Sequence, residues 1–298
     1  MFSSGVSSET RTAIYGLTSK ARSIEAVYAP EDSEEILRSR FVIGTLNFNE
    51  ENEIKLVEVN EDDPDKPEIQ ELISYSHPGE IWSMAPCPYD PSLLFTCYDT
   101  HAVPHCALWR MGNIPQGGSI DDIGMGDRYG IGRGYGGDDY DDEDLKEVAQ
   151  IPIKDRTVPV KSVLWNLHRR ESAVILDAKS LRMVSLADGG VKDEESVAPV
   201  TCPPGTDFTT GRWAPLQESV VAAASGKSIT AWDIRQPSSG QRSAFGIERA
   251  HSDTVRDFDF NPNSLYYLAS GGDDCKVRVW DTRNLKAPMK TLSGHSHW

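Results

Sequence analysis

Cys97, His101, His105 and Cys106 fall within a ten-residue span, and a sulfur–nitrogen set of that kind could hold zinc. The spacing gives it no anchor, because the chain has no CxxC pair and the set matches no structural zinc pattern. The acidic run DDYDDED at 138–144 offers carboxylates to a cation but lacks the glycine and closing glutamate of a calcium loop. GRGYGG at 132–137 has the letters of a dinucleotide fingerprint. It follows no strand, opens no helix, and runs into an anionic stretch that would repel a pyrophosphate. ASGKS at 224–228 ends like a phosphate loop, yet Val221 stands where the upstream glycine belongs, and a hairpin turn explains the stretch. Neither GxSxG nor HExxH occurs. The sequence therefore predicts a non-enzyme with no cofactor and no metal site.

The chemistry left over is that of binding, and composition narrows the partner. The net charge is −16, and two segments carry all of it: residues 31–71 have a balance of −10 and residues 121–147 one of −7. Nucleic-acid binding needs a basic footprint and is excluded. No 18-residue apolar run exists, so no transmembrane segment is expected, and the N-terminus has no signal-peptide core. Five cysteines at 87, 97, 106, 202 and 275 without a CxxC suggest a reduced, cytoplasmic protein.

What must position any binding residues is a repeat. SVLWNLHRRESAVILD (162–177), TGRWAPLQESVVAAAS (210–225) and RDFDFNPNSLYYLASG (256–271) each give a strand-like run ending in an aromatic, a polar turn and a second apolar run. Trp165, Trp213 and Phe260 are equivalent, at spacings of 48 and 47. Alternating strands follow, KSITAWDIR and KVRVWDTR, with Trp232 and Trp280 again 48 apart. A period near 48 built of four short strands predicts an all-β propeller of four-stranded antiparallel blades.

Five blades are expected, at about 1–76, 77–155, 156–202, 203–248 and 249–293, forming one domain, with GHSHW at 294–298 opening a sixth. Residues 116–144, rich in Gly and Asp, read as a disordered insertion between the third and fourth strands of the second blade. The acidic stretch NEDDPDKPE is the equivalent loop of the first. On this reading the chain is C-terminally truncated and the ring incomplete. Outer faces would lack neighbours, Val42, Ile54 and Leu56 in the first blade and Leu268, Val277 and Val279 in the fifth.

HSDTVRDFDFNPNSLYYLASGGDDCKVRVWDTR (251–283) resembles the WD40 repeat. The resemblance implies a structural hydrogen-bonded tetrad of His251, Ser270, Asp274 and Trp280. Other blades depart from the pattern: the second keeps His77 and Trp109, the fourth Ser225, Trp232 and Asp233, and the third has Ser185 in place of Trp.

YGLTSKAR (15–22), FVIGTLNFNEENEIKLVEV (41–59), GEIWSMAPCP (79–88), CALWRM (106–111) and FNPNSLYYLASGGDDCKVRVWDTRN (260–284) together resemble the EARP/GARP-interacting propeller family. That resemblance implies a protein-interaction scaffold for tethering-complex subunits, with a Rab-type GTPase as a further partner. It would act in endosomal recycling and endosome-to-Golgi transport, peripherally at endosomes and the trans-Golgi network, and meet membranes only through partners. The alternative is a substrate receptor of a cullin-RING ubiquitin ligase. Two WDxR motifs, Trp232-Asp233-Ile234-Arg235 and Trp280-Asp281-Thr282-Arg283, would then contact the ligase adaptor.

Overall fold

Each alternating stretch forms a strand, and consecutive strands pair antiparallel into five sheets. The computed structural model describes residues 13–28, 39–48, 51–60, 68–114, 145–187, 190–193, 200–235 and 243–297. The Gly/Asp-rich stretch 116–144 and GRGYGG within it lie outside the described residues. Blade 1 holds β1 (Ala21–Val27), β2 (Ser39–Thr45), β3 (Asn52–Asn60) and β4 (Glu68–His77). Blade 2 holds β5 (Glu80–Pro86), β6 (Leu93–Thr100), β7 (Val103–Met111) and β8 (Leu145–Gln150). Blade 3 has β9 (Val160–Trp165), β10 (Ser172–Asp177), β11 (Ser180–Ala187) and β12 (Gly190–Asp193). A short β13 (Val200–Thr201) also pairs with β11, so this blade has one strand more than the repeat predicts. Blade 4 is β14 (Phe208–Trp213), β15 (Val220–Ser225), β16 (Ser228–Asp233) and β17 (Ser243–Ile247). Blade 5 is β18 (Val255–Phe260), β19 (Tyr267–Gly272), β20 (Lys276–Asp281) and β21 (Lys290–Leu292).

The aromatic spacing is a true register. Trp165 faces Ala173, Trp213 faces Val221 and Phe260 faces Leu268, each closing the first strand of its sheet against the second. The first strands stack in chain order, β1 on β5, β5 on β9, β9 on β14 and β14 on β18.

A strand turns successive side chains to opposite faces, so one buried strand can feed two cores. The second strands of blades 2, 3 and 4 do so. Leu94 joins a core with blade 1 and Phe95 one with blade 3; Ile175 faces blade 2 and Val174 blade 4; Val221 faces blade 3 and Ala222 blade 5. Four apolar layers thus lie between successive blades. The layer between blades 2 and 3 is also tied by hydrogen bonds: Trp165 Nε1 donates to Ala85 O at 2.7 Å and Tyr89 Oη to Asn166 O at 2.9 Å.

This alternation corrects the expectation about unpacked faces. Val42, Ile54 and Leu56 are wholly buried because they point at blade 2, into the layer with Ile81 and Met84. Leu268 is buried against blade 4. Ile43 and Val57, on the opposite face of blade 1, are buried too, and Tyr15 donates its hydroxyl to Glu71 on that face. Among the described residues blade 5 has an open second face, where Ala269 is exposed, Val277 and Val279 are half-buried, and Leu292 is 45% exposed.

Trp165 separates the two contributions to an interblade layer. Trp165→Ala removes a ring packed 4.7 Å from Phe95 and is expected to cost about 3–5 kcal/mol. Trp165→Phe keeps most of the packing and loses the bond to Ala85, about 1 kcal/mol. Urea denaturation of the three proteins checks the order.

Candidate functional site

In blade 5 the four residues implied by the repeat meet in one chain of hydrogen bonds. Trp280 Nε1 donates to Ser270 Oγ at 2.9 Å, Ser270 Oγ meets His251 Nε2 at 2.8 Å, and His251 Nδ1 meets Asp274 Oδ1 at 2.7 Å. The wiring has one consistent direction. The Ser270 hydroxyl receives the indole proton and donates its own to Nε2, leaving Nδ1–H for the carboxylate. His251, Ser270 and Trp280 are buried, so each polar atom needs the partner it has. Burial opposes the charge on Asp274, but His251, the Ser252 amide and Arg278 all donate to it. Together they hold its carboxyl well below the usual range. Gly272 makes the close fit possible: a Cβ there would stand 2.6 Å from His251 Nδ1.

Blade 2 builds the same latch from different parts, which the sequence shows only as His77 and Trp109. Trp109 Nε1 donates to Thr96 Oγ1 at 2.8 Å, and Thr96 meets His77 Nε2 at 3.1 Å. Thr96 lies 19 residues after His77, as Ser270 does after His251, so the spacing could have found it. The aspartate is gone. His77 Nδ1 instead meets the Gly79 carbonyl at 3.0 Å, and Tyr98 sets its ring edge-on to the imidazole at 4.7 Å. The glycine has moved accordingly. Tyr98 occupies the register position of Gly272, and Gly79 makes room in the link, where a Cβ would lie 2.4 Å from Asp99 O. With no carboxylate to favour the imidazolium, burial pushes the His77 pKa down to about 4.

The WDxR motifs occupy matching places at the ends of β16 and β20. Asp233 accepts from the Arg235 amide at 3.0 Å, Nε at 3.1 Å and NH2 at 2.7 Å. Asp281 accepts from Arg283 at 3.0, 2.9 and 2.7 Å through the same atoms. Both guanidinium groups are exposed, at 71% and 56%, and Arg283 also lies 4.5 Å over the Tyr266 ring. The hydrogen bonds from Arg235 push the Asp233 pKa down to about 2. Trp280 is buried, whereas Trp232 is half-buried and edge-on to Phe208.

The chemical sets weighed first are dispersed. Cys97 and Cys106 face each other across β6 and β7 with their sulfurs 3.7 Å apart, His105 turns to Thr100, and His101 is exposed at the hairpin apex with φ 52°. Among the described residues no three His, Cys, Asp or Glu side chains gather as a metal site. Gly226, φ +53°, turns β15 into β16, so ASGKS is a hairpin. No helix among the described residues is long and apolar enough to cross a membrane.

Two outcomes test the latches. Trp280→Ala should lose about 3–5 kcal/mol of stability to its cavity and leave Ser270 short of a donor, while Arg283→Ala changes stability little. Equal losses on denaturation would misplace the buried face of β20. For His77, an unfolded imidazole titrates near 6.5 and the folded one near 4. Between those values the unfolded chain takes up a proton that the folded chain refuses, so stability is full above pH 6.5 and falls toward pH 4 by up to about 3 kcal/mol. Denaturation at pH 7 and 4.5 should show a smaller drop for His77→Gln than for the wild type.

Comparison with known proteins agrees with this architecture. The EIPR1 beta-propeller family model matches residues 9–298. The EARP-interacting protein homolog of Gekko japonicus is 33% identical over 303 residues, covering 96% of this chain and 69% of the relative. EARP and GARP complex-interacting protein 1 of Homo sapiens is 32% identical over 306 residues, with the same coverage. WD repeat-containing protein DWA2 of Arabidopsis thaliana is 29% identical over 288 residues, covering 95% of this chain and 70% of the relative. The chain belongs to the EIPR1 beta-propeller family.

Proposed function

We propose that this chain is a non-catalytic protein-interaction module that binds tethering complexes of the EARP and GARP type. One observation carries the reading: relatives named for interaction with those complexes align with 96% of the chain, through all five blades. The architecture suits the role. Interblade layers fix the sheets rigidly, and the loops between strands emerge on two separate faces, free to hold different partners at once. Acting through such complexes, the protein would serve endosomal recycling and endosome-to-Golgi transport. It would sit peripherally at endosomes and the trans-Golgi network from the cytoplasmic side, with a Rab-type GTPase as a further partner.

A second reading is favoured by the two WDxR motifs, which present the same aspartate-braced guanidinium at the same position of adjacent blades. A braced Arg is preorganised as an interface anchor, as a ligase adaptor would require. The two readings separate in one experiment. Immobilised chain is expected to retain purified EARP or GARP complex, and Arg235→Ala with Arg283→Ala should leave that retention intact. Retention of the ligase adaptor alone, lost in the double variant, would replace the first reading by the second.

A further inference from the structure

Blades 2 and 5 share one register counted from their opening histidines, and comparing them position by position isolates a carboxylate that has lost its cation. In blade 5, Arg256 follows His251 by 5 residues and Asp273 by 22. Arg256 grips the two Asp273 oxygens through Nε at 2.6 Å and NH2 at 2.7 Å, a two-pronged pair. The same offsets from His77 give Trp82 and Asp99. Both first strands carry the same irregularity, after Val255 and after Ile81, so the two pairs are placed alike on their sheets.

Asp99 thus keeps the acid and lacks the arginine. The neutral Trp82 indole stands at the guanidinium's position and brings it no charge. Arg22 does not replace the missing partner: its guanidinium stacks over the Trp82 ring, 4.7 Å from the centroid. Burial pushes the Asp99 carboxyl up, only partly offset by the neighbouring Trp82 and His105 side chains. Directly opposite on β5 stands Glu80, and like charges paired across strands are unfavourable. Among the described residues no Lys or Arg forms an ion pair with either.

Both acids open into a cleft of about 780 Å³ between blades 1 and 2. Its walls add Glu51 and the ring of Phe48, 76% exposed, together with Pro78 and Ala102. Among the described residues no Lys or Arg lines it. We propose that this cleft docks a segment of a protein partner through an arginine, whose guanidinium takes Asp99 and Glu80 while a neighbouring apolar side chain rests on Phe48. Blade 5 is the internal precedent for the choice of cation, since the equivalent carboxylate there is held by a guanidinium fork. The cleft's apolar wall beside an uncompensated pair of acids is complementary to such a segment and to no anion. The inference rests on the reading of the chain as a protein-binding module and adds where, and by what chemistry, one contact is made.

The test uses the full chain and a labelled, end-capped peptide Gly-Leu-Arg-Leu-Gly, with its citrulline twin as the neutral isostere, followed by fluorescence anisotropy. The wild type is expected to favour the arginine peptide at least about tenfold, the scale of one charge-assisted hydrogen-bonded contact. Asp99→Asn should abolish the preference. Trp82→Arg should abolish it too, by supplying the blade 5 pairing from within, and its thermal melt should be no lower than the wild type's. Equal binding of the two peptides by the wild type, or an intact preference in Asp99→Asn, overturns the proposal. So does binding of free arginine amide as tight as that of the peptide, which would make the cleft a small-molecule site. Purified EARP or GARP complex retained equally by wild type and Asp99→Asn also overturns it and leaves the proposed function standing. An arginine preference without retention of either complex does the reverse.

Discussion

A four-stranded sheet with apolar residues on both faces cannot satisfy either face alone, and the remainder of this structure follows from that constraint. In the three middle blades the second strand splits its side chains between two neighbours, as Leu94 and Phe95 do in blade 2 and Val221 and Ala222 in blade 4. The blades must therefore stack, and once stacked they hold one another in register. Hydrophobic burial supplies the drive but has no direction. Direction comes from the polar latches, which tie the histidine leading into a blade to that blade's second and third strands.

The two latches show how much chemistry a fixed geometry tolerates. Trp, a hydroxyl and His are wired identically in blades 2 and 5, while the last acceptor is a carboxylate in one and a backbone carbonyl in the other. The ionic and the neutral acceptor go with two further differences, a tyrosine at the glycine's register position and a glycine in the link before the blade. A lone substitution would have left a buried imidazole nitrogen without a partner, which is costly in a low-dielectric interior. The pair of changes keeps the satisfaction of the network while removing its charge.

The repeat period was legible because Trp165, Trp213 and Phe260 end their strands at the same register, and aromatic side chains at a strand end are large enough to be seen in the letters. The fifth-blade tetrad was legible for the same reason, since all four residues keep their types. The second-blade latch was half hidden: Thr96 substitutes for serine and Gly79 offers only its carbonyl, which no side-chain pattern records. Face assignment went astray at Val42, Ile54 and Leu56. Alternation shows that such residues share a face but not which neighbour the face meets. Strand β1 escaped notice because its apolar residues, Ala21, Ile24, Ala26 and Val27, do not alternate, and β13 because it is two residues long.

The sheets also appear in the order of the chain, and among the described residues each is assembled from consecutive strands. Loop closure within a blade is accordingly short-range, and its entropic cost is small beside that of a barrel joined end to end. During synthesis the emerging polypeptide can finish one sheet before the next leaves the ribosome, and each finished sheet offers a template face to its successor. Assembly would then proceed like a zip from the N-terminal side, and the most exposed intermediate at any moment would be a single blade edge.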